Sequence, residues 1–263
     1  MKVHRSGYYD WTHQGATIIP PEELAMRRRM KALFERSRQS LGSRRLVKKL
    51  REEGFDIGRY RVQKLMKILG LKVKHKRRFK VTTNSKHPFP VAENILNRQF
   101  NPVAANRVWG TDITYVWTQE GWIYLAIVID LYSRRVVGWC IDKRMTTSLV
   151  KRALIMAYNQ RNPPKDLIHH SDRGSQYASH EYQKLLQQYN MRPSMSRKGN
   201  CWDNSPVERF FSSLKREWIG DLFYRTRAEA IVDIREYVMV YYNAVRLHST
   251  LGYKTPLDFE RSA

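Results

Sequence analysis

The feature that most constrains the fold is an uninterrupted apolar run from Trp122 to Ile129. Such a run is typical of a central β-strand that is buried on both faces. The preceding segment, Val108–Trp117, alternates like a half-buried strand, and Arg135–Ile141 carries a third strand pattern. Because only short turns separate these segments, we predict that they form an antiparallel meander.

Helix and strand patterns continue along the rest of the chain. Six further segments are expected: helices at Thr146–Tyr158, Ser179–Tyr189, 205–219 and 227–244, and strands at Leu167–Ser171 and Met191–Met195. The resulting order, β-β-β-α-β-α-β-α-α, predicts an α/β domain in which helices cover a mixed five-stranded sheet.

The region before this domain is predicted to be all-helical. A helix is expected after Pro20-Pro21, and Ser43 is expected to cap a shorter helix that ends at Gly54. Another short helix is expected from Arg59 to Leu69, so the last two helices resemble a helix-turn-helix unit. The predicted domains are an N-terminal tail at 1–19, a helix-turn-helix domain at 20–75, a basic, proline-containing linker at 76–106 and the α/β domain at 107–263.

The net charge of the chain indicates what kind of molecule it binds. The chain has 48 lysine and arginine residues against 24 aspartate and glutamate residues, a net charge of +24. This balance favours a polyanionic partner, and no apolar run approaches the ~20 residues needed to span a bilayer. Cys140 and Cys201 lack a CxxC spacing, so neither a zinc site nor a disulfide is expected. These features, with a polar N-terminus, fit a cytoplasmic protein that binds double-stranded DNA.

Several side chains are candidates for contacting DNA. The predicted exposed faces of the short helices and the basic run LKVKHKRRFK provide most of them: Arg44, Arg45, Lys48, Arg59, Arg61, Lys64, Lys74, Lys76, Arg77 and Arg78. Lysines and arginines of this kind would contact phosphates. The alternative is that these charges are simply solvated. Trp202 could stack on a frayed base or pack against its own domain.

Three acidic residues occur at positions where an ordinary solvent-exposed carboxylate is not expected. Asp112 interrupts the first predicted strand, Asp172 closes the fourth, and Glu208 lies in the first turns of a helix. Adjacent placement of those two strands would bring the carboxylates together. Carboxylates that converge suit hard divalent cations, and a pair of such ions suits phosphoryl transfer. Lys215, two turns after Glu208, is placed to hold a phosphate nearby.

Other polar residues have simpler explanations. Asp130 is a rival acid that is expected to pair with Arg134 or Arg135 or to cap a turn. His170 is expected to be a hydrogen-bonded structural histidine. The residues Asp203-Asn204 are expected to cap the helix of Glu208. The pair Arg246 and His248 is expected to tie down the C-terminal region, with a secondary contact to DNA.

Five motifs resemble those of the integrase-core transposases of bacterial insertion sequences: TDITY, VIDLYSR, HSDRGSQY, DNSPVERFFSSLK and YNAVRLHSTLGYKTP. The resemblance is closest to the protein from the second reading frame of elements with two overlapping frames. It implies a ribonuclease H-like fold and a catalytic triad at Asp112, Asp172 and Glu208. It also implies two Mg²⁺ or Mn²⁺ ions, and DNA cleavage and strand transfer at the element ends.

The resemblance also bears on partners and on rival functions. It implies a homo-oligomer on DNA, and a fusion or complex with an upstream-frame protein that supplies a further helix-turn-helix and a coiled coil. One alternative is a nuclease or resolvase of the same fold. The other is a non-catalytic DNA-binding regulator, which would have no use for the triad beside Lys215.

Overall fold

The computed structural model describes residues 4–13, 19–73 and 88–262. The chain divides into two compact units, Met1–Val73 and Lys74–Ala263. Each unit has its own apolar core. No helix in the described ranges is long and apolar enough to cross a membrane.

The first unit is helical. Its elements are α1 (Arg5–His13), α2 (Pro21–Arg36), α3 (Ser43–Glu52) and α4 (Arg59–Ile68). The core forms where the apolar faces of the last three helices meet, and Met30, Leu46, Leu50 and Val62 are fully buried. The expected helical pair, α3 and α4, is therefore present.

Two details of this unit differ from expectation. Helix α1 was not predicted, because its sequence has no apolar stripe, and Tyr8 and Tyr9 are exposed. The expected cap at Ser43 is wrong, since Gly42 is the N-cap of α3 and no side chain caps that helix. Ser43 is instead the first helical residue.

The second unit contains the predicted five-stranded sheet. Its strands are β1 (Val108–Thr118), β2 (Gly121–Asp130), β3 (Val136–Asp142), β4 (Ile168–Ser171) and β5 (Arg192–Met195). Their order is β3-β2-β1-β4-β5. Strands β1, β2 and β3 pair in antiparallel fashion, while β4 is parallel to both β1 and β5.

Helices cover both faces of this sheet. They are α5 (Thr147–Arg161), α6 (Ser175–Ala178), α7 (His180–Gln188), α8 (Ser205–Ser213), α9 (Arg227–Glu236) and α10 (Pro256–Arg261). A π-helical segment extends α8 through Leu214–Ile219, and another extends α9 through Tyr237–Tyr242.

Strand β2 shows how the two layers arise. Ile127 and Ile129 belong to the core beneath α8 and α9, whereas Ala126 and Val128 belong to the core beneath α5 and α7. The apolar run is thus buried on both faces, as its composition predicts. Strand β1 pairs with β2 and is the central strand of the sheet, and it carries the first of the candidate acids.

Candidate active site

Asp112 lies in the middle of β1, where it pairs with Ile127 of β2. Its side chain is half-buried, and Oδ1 accepts a hydrogen bond of 2.7 Å from the backbone N–H of Ile113. Because strand residues alternate between faces, Asp112 shares a face with Gly110 and Val116. That face is the one covered by α8 and α9.

Asp172 directly follows β4, the parallel neighbour of β1. The last registered pair of the two strands is Gly110 with His170. Asp112 and Asp172 each lie two residues beyond that pair, and the charge of Asp172 acts on Asp112. Oδ1 of Asp172 accepts a hydrogen bond of 2.9 Å from the backbone N–H of Gly174, which fixes the turn after β4.

Glu208 reaches the same region from α8, which packs closely against β1. A Cβ atom placed on Gly110 would lie 2.8 Å from Cγ2 of Val207, so only glycine permits this approach. Asn204 also donates a hydrogen bond of 3.1 Å from Nδ2 to the carbonyl oxygen of Thr111. Val207 is buried, and its neighbour Glu208 stays accessible at the side of the helix.

The three carboxylates influence one another. Burial raises the pKa of Asp112 well above its usual range, and the charges of Asp172 and Glu208 raise it further against the opposing hydrogen bond from Ile113. Partial burial and the charge of Asp172 also raise the pKa of Glu208. The side chains therefore form one anionic region in which like charges repel.

Lys215 supplies a positive charge beside this region. It lies in the π-helical extension of α8, and burial lowers its pKa to about 8 even though the charge of Asp112 opposes this shift. Its Nζ atom lies 4.6 Å from the centre of the Tyr115 ring. Lys215 thus interacts with two residues of β1, Asp112 and Tyr115.

The donor atoms in this region suit a hard divalent cation, because they are carboxylate oxygens and Mg²⁺ needs only one or two of them beside its waters. The mutual repulsion of the acids is what a bound cation would relieve. Across the ranges that the structure describes, however, no group of three or more histidine, cysteine, aspartate or glutamate side chains is spaced as a ready-made metal site. The three carboxylates are therefore suitable ligands for such an ion, but their spacing is not that of a preformed metal site.

Two rival residues prove to be structural. Asp130 is buried and accepts hydrogen bonds from the backbone N–H groups of Asn106 and Tyr132, while Arg161 lies 3.5 Å away. The expected turn-capping role is confirmed, but its cationic neighbour is Arg161 instead of Arg134 or Arg135. His170 is buried between the hydroxyl groups of Ser194 and Ser196, at 2.9 and 3.2 Å.

Of the expected caps of α8, Asn204 occupies the N-cap position and Asp203 does not. No side chain caps that helix, and Asn204 is engaged with β1. Asp203 is buried and forms ion pairs with Arg98 at 2.7 Å and with Arg197 at 3.0 Å. Although burial alone would raise the pKa of Asp203, these arginines hold it well below its usual range. The ion pairs of Asp203 with Arg98 and Arg197 therefore stabilise the segment that precedes α8.

The C-terminal pair has the expected structural role. The buried guanidinium of Arg246 donates to both carboxylate oxygens of Glu217, at 2.7 and 2.8 Å, and to Ser213 Oγ at 3.0 Å. His248 packs edge-on against Tyr242. Together these contacts hold the segment after α9 against the extension of α8.

The predicted DNA-contacting residues fall into three groups. Arg44 and Lys48 of α3 are exposed and Arg45 is half-buried, while Arg59, Arg61 and Lys64 of α4 are exposed. Arg61 is paired with Glu23 at 3.1 Å. Lys74, Lys76, Arg77 and Arg78 lie outside the described residues. Trp202 is 69% exposed in the turn before α8, so the expected alternative of packing against its domain is not observed.

Two contacts that position the site were not predicted: the close approach of Val207 to Gly110 and the hydrogen bond of Asn204 to Thr111. Gly110 interrupts a strand pattern, and a glycine inside a strand often marks a close backbone approach. That signal was present in the sequence. The hydrogen bond of Asn204 to Thr111 left no such signal, because it joins residues far apart along the chain.

Comparisons with known proteins agree with this architecture. Models described as an integrase core domain match residues 102–201 and 175–256, and one described as an HTH-like domain matches residues 21–79. The fold resembles a chain of the simian T-cell lymphotropic virus intasome bound to PP2A regulatory subunit B56 gamma. The TM-score is 0.52 at 18% identity, over 89% of this chain and 75% of that one.

Curated relatives are much closer in sequence. An uncharacterized 31 kDa protein of insertion element IS600 from Shigella sonnei is 45% identical over 98% of this chain and 94% of its own length. The transposase for insertion sequence element IS904 from Lactococcus lactis is 42% identical over 89% and 92%, respectively.

Fold and sequence together define the class: a ribonuclease H-like integrase core in a chain that also carries an HTH-like region. Within that class, the chain belongs to the insertion-sequence transposase family.

Proposed function

We propose that this chain is a DNA transposase that cuts DNA at the ends of its insertion sequence and joins the resulting 3′ ends to target DNA. The observation that carries the proposal is the convergence of Asp112, Asp172 and Glu208 from three separate elements into one electrostatically coupled region. Repelling carboxylates are costly to bring together, and such arrangements are common at functional sites.

Asp112, Asp172 and Glu208 are assigned as the ligands of two Mg²⁺ or Mn²⁺ ions. Bound there, such ions would lower the pKa of a water molecule or of a 3′-hydroxyl and neutralise charge on the phosphodiester during in-line displacement. The same residues would serve both strand cleavage and strand joining.

The surrounding residues hold this site in position. The backbone N–H groups of Ile113 and Gly174 orient the carboxylates of Asp112 and Asp172. Asn204 fixes the start of α8 against β1 and hence the position of Glu208. Lys215, close to the acids, is assigned a contact with a DNA phosphate.

The first unit is proposed to bind duplex DNA. Exposed cations lie on both helices of the pair, with Arg44 and Lys48 on α3 and Arg59 and Lys64 on α4. Cations on such helices can contact phosphates, which position a protein on the duplex without reading its sequence. The basic residues from Lys74 to Arg78 are proposed to add to this binding. Because two element ends have to be joined, the active form is proposed to contain at least two copies of the chain, with or without an upstream-frame protein.

The decisive test is a strand-transfer assay. The full chain would be incubated with Mg²⁺, DNA carrying the element ends, and a target plasmid. We expect both cleaved ends and joined products from the unsubstituted protein, and neither from Glu208→Gln, which should still bind the DNA. Glu236→Gln, at an exposed position on α9, is the matched control and should remain active.

The products also separate the rival functions. Nicks without joined strands would favour a nuclease or resolvase. Full activity of the Glu208→Gln variant would rule out the assigned role of this carboxylate.

A further inference from the structure

An aromatic cluster lies exposed at the far end of the β1–β2 hairpin. It consists of Tyr115, Trp117 and Trp122, called here the hairpin aromatic cluster. Trp117 pairs across the strands with Trp122, and their ring centres are 4.7 Å apart, while those of Tyr115 and Trp122 are 4.9 Å apart. The tryptophans are 48% and 42% exposed, respectively. None of these residues has a role in the proposed chemistry.

The cluster sits on a firmly held turn. Thr118 Oγ1 donates to the carbonyl oxygen of Gly121 at 2.7 Å, and the backbone N–H of Gln119 donates to that of Tyr224 at 3.1 Å. The backbone N–H of Arg227, at the start of α9, donates to Glu120 at 2.8 Å. A surface that is already ordered loses little conformational entropy when it binds a ligand.

The cluster and the candidate active site share strand β1 and the side chain of Lys215. Tyr115 follows Asp112 by three residues, about 10 Å along an extended strand, and strand alternation places it on the opposite face. Lys215 bridges the two positions: its Nζ is 4.6 Å from the Tyr115 ring centre, and its charge interacts with Asp112. A DNA strand held at the acids could therefore reach the aromatic rings by passing Lys215, where β1 is no longer paired with β4.

The chemistry of the cluster favours nucleic-acid bases as its occupant. Exposed aromatic rings stack on bases of any sequence, but a duplex keeps the faces of its bases hidden. Cations flank the cluster, with Lys215 at one end and Arg227 at the other, where its Nε lies 3.4 Å from the carbonyl oxygen of Trp122. Glu120 offsets part of this charge, but the chain as a whole carries +24.

We propose that the hairpin aromatic cluster stacks on unpaired bases of the DNA strand that enters the candidate active site. The inference rests on the proposed function, because it needs DNA at that site. It assigns to the β1–β2 hairpin a binding role separate from catalysis. The ligand is an opened or single-stranded DNA end, not the intact duplex.

The test compares two DNA probes of the same sequence, one blunt and one with a short single-stranded extension. Binding of the full chain would be measured by fluorescence anisotropy in EDTA, so that no cleavage is required. We expect the unsubstituted protein to prefer the extended probe. In the double variant Trp117→Ala/Trp122→Ala, the Kd for the extended probe should rise about tenfold, while the Kd for the blunt probe stays the same. The preference for the extended probe should therefore be lost.

The double variant Trp117→Phe/Trp122→Phe is the matched control and should retain most of the preference, because it keeps two rings. An unchanged preference in the alanine variant, or equal weakening toward both probes, would overturn the proposal. So would a change in oligomeric state by sedimentation with the preference intact, since the cluster would then be a protein interface. Because binding is measured in EDTA and needs no cleavage, a failure of the proposed catalysis would not be mistaken for a failure of stacking.

Discussion

Among single residues, Lys215 has the most direct effect on the charge of the candidate site. It is the cation whose charge opposes the raised pKa of Asp112, and its own pKa is lowered to about 8 because it is half-buried. An ordinary surface lysine keeps its charge to much higher pH. Lys215 should therefore lose its proton, and with it any attraction for phosphate, at a lower pH than an ordinary surface lysine.

This difference predicts that DNA binding depends on pH. In EDTA, the affinity of the unsubstituted protein for DNA should fall about fivefold between about pH 7 and about pH 9, because one ion pair with phosphate, worth ~1 kcal/mol, disappears. Lys215→Arg should show no such fall, because arginine stays charged, and Lys215→Ala should be weak throughout. Anisotropy titrations at several pH values would measure this. Identical pH profiles for all three proteins would contradict the assigned role of Lys215 in phosphate binding.

Individual site residues were predictable only where local pattern determines them. An acid inside a strand pattern, as at Asp112, is visible in the sequence because it breaks the alternation. The ion pairs of Asp203 with Arg98 and of Asp130 with Arg161 were not visible, since these arginines come from distant segments. Spatial neighbours of this kind depend on the packing of whole elements.

At the scale of elements, the approach of α8 to β1 determines where Glu208 lies. The helix touches the strand at Gly110, where a Cβ atom would be 2.8 Å from Val207. Val207 is fully buried beneath the helix, so it has no room to move aside. The position of the Glu208 carboxylate therefore depends on residue 110 being a glycine, which has no side chain.

This close approach predicts a coupled pair of substitutions. Gly110→Ala should destabilise the protein by about 1–3 kcal/mol through overpacking, and it should reduce strand cleavage by moving α8. Val207→Ala removes the clashing methyl group, so the double variant should be less destabilised than the sum of the single variants. Urea unfolding of all four proteins measures the coupling. Strict additivity would show that the two residues do not touch.

The sequence predicted most elements but not their irregularities. The β2 strand and the main helices follow from apolar runs and periodicity. The π-helical extension of α8 does not, because a single wide turn leaves almost no trace in a periodic pattern. Phe211, three residues after Glu208, is buried beside Phe210, so α8 is covered more widely than by one apolar stripe.

For the whole molecule, charge and division into units matter most. The net charge of +24 is spread over two compact units with separate cores. A protein that neutralises several phosphates releases counterions, and its affinity then falls steeply as salt is added. The two helices α3 and α4 of the first unit are proposed to neutralise some of these phosphates.

This proposal predicts the salt dependence of binding. The double variant Arg44→Ala/Lys64→Ala removes one exposed cation from each helix of the pair. The slope of log affinity against log salt should become shallower by about 2, close to 0.9 for each phosphate that is no longer neutralised. Lys31→Ala, at an exposed position on α2, is the control and should leave the slope unchanged. A change of slope in Lys31→Ala about half that of the double variant would contradict the proposal, because the slope would then follow only the number of charges removed.

The central claim is that Asp112, Asp172 and Glu208 form one metal-dependent active site. Crystals of the full chain grown with Mn²⁺ would test it most directly, through anomalous diffraction from the metal. We expect manganese density in contact with the carboxylates of Asp112 and Asp172, and loss of that density in Asp112→Asn crystals. Saturating manganese bound only elsewhere, with neither carboxylate in contact with an ion, would contradict it.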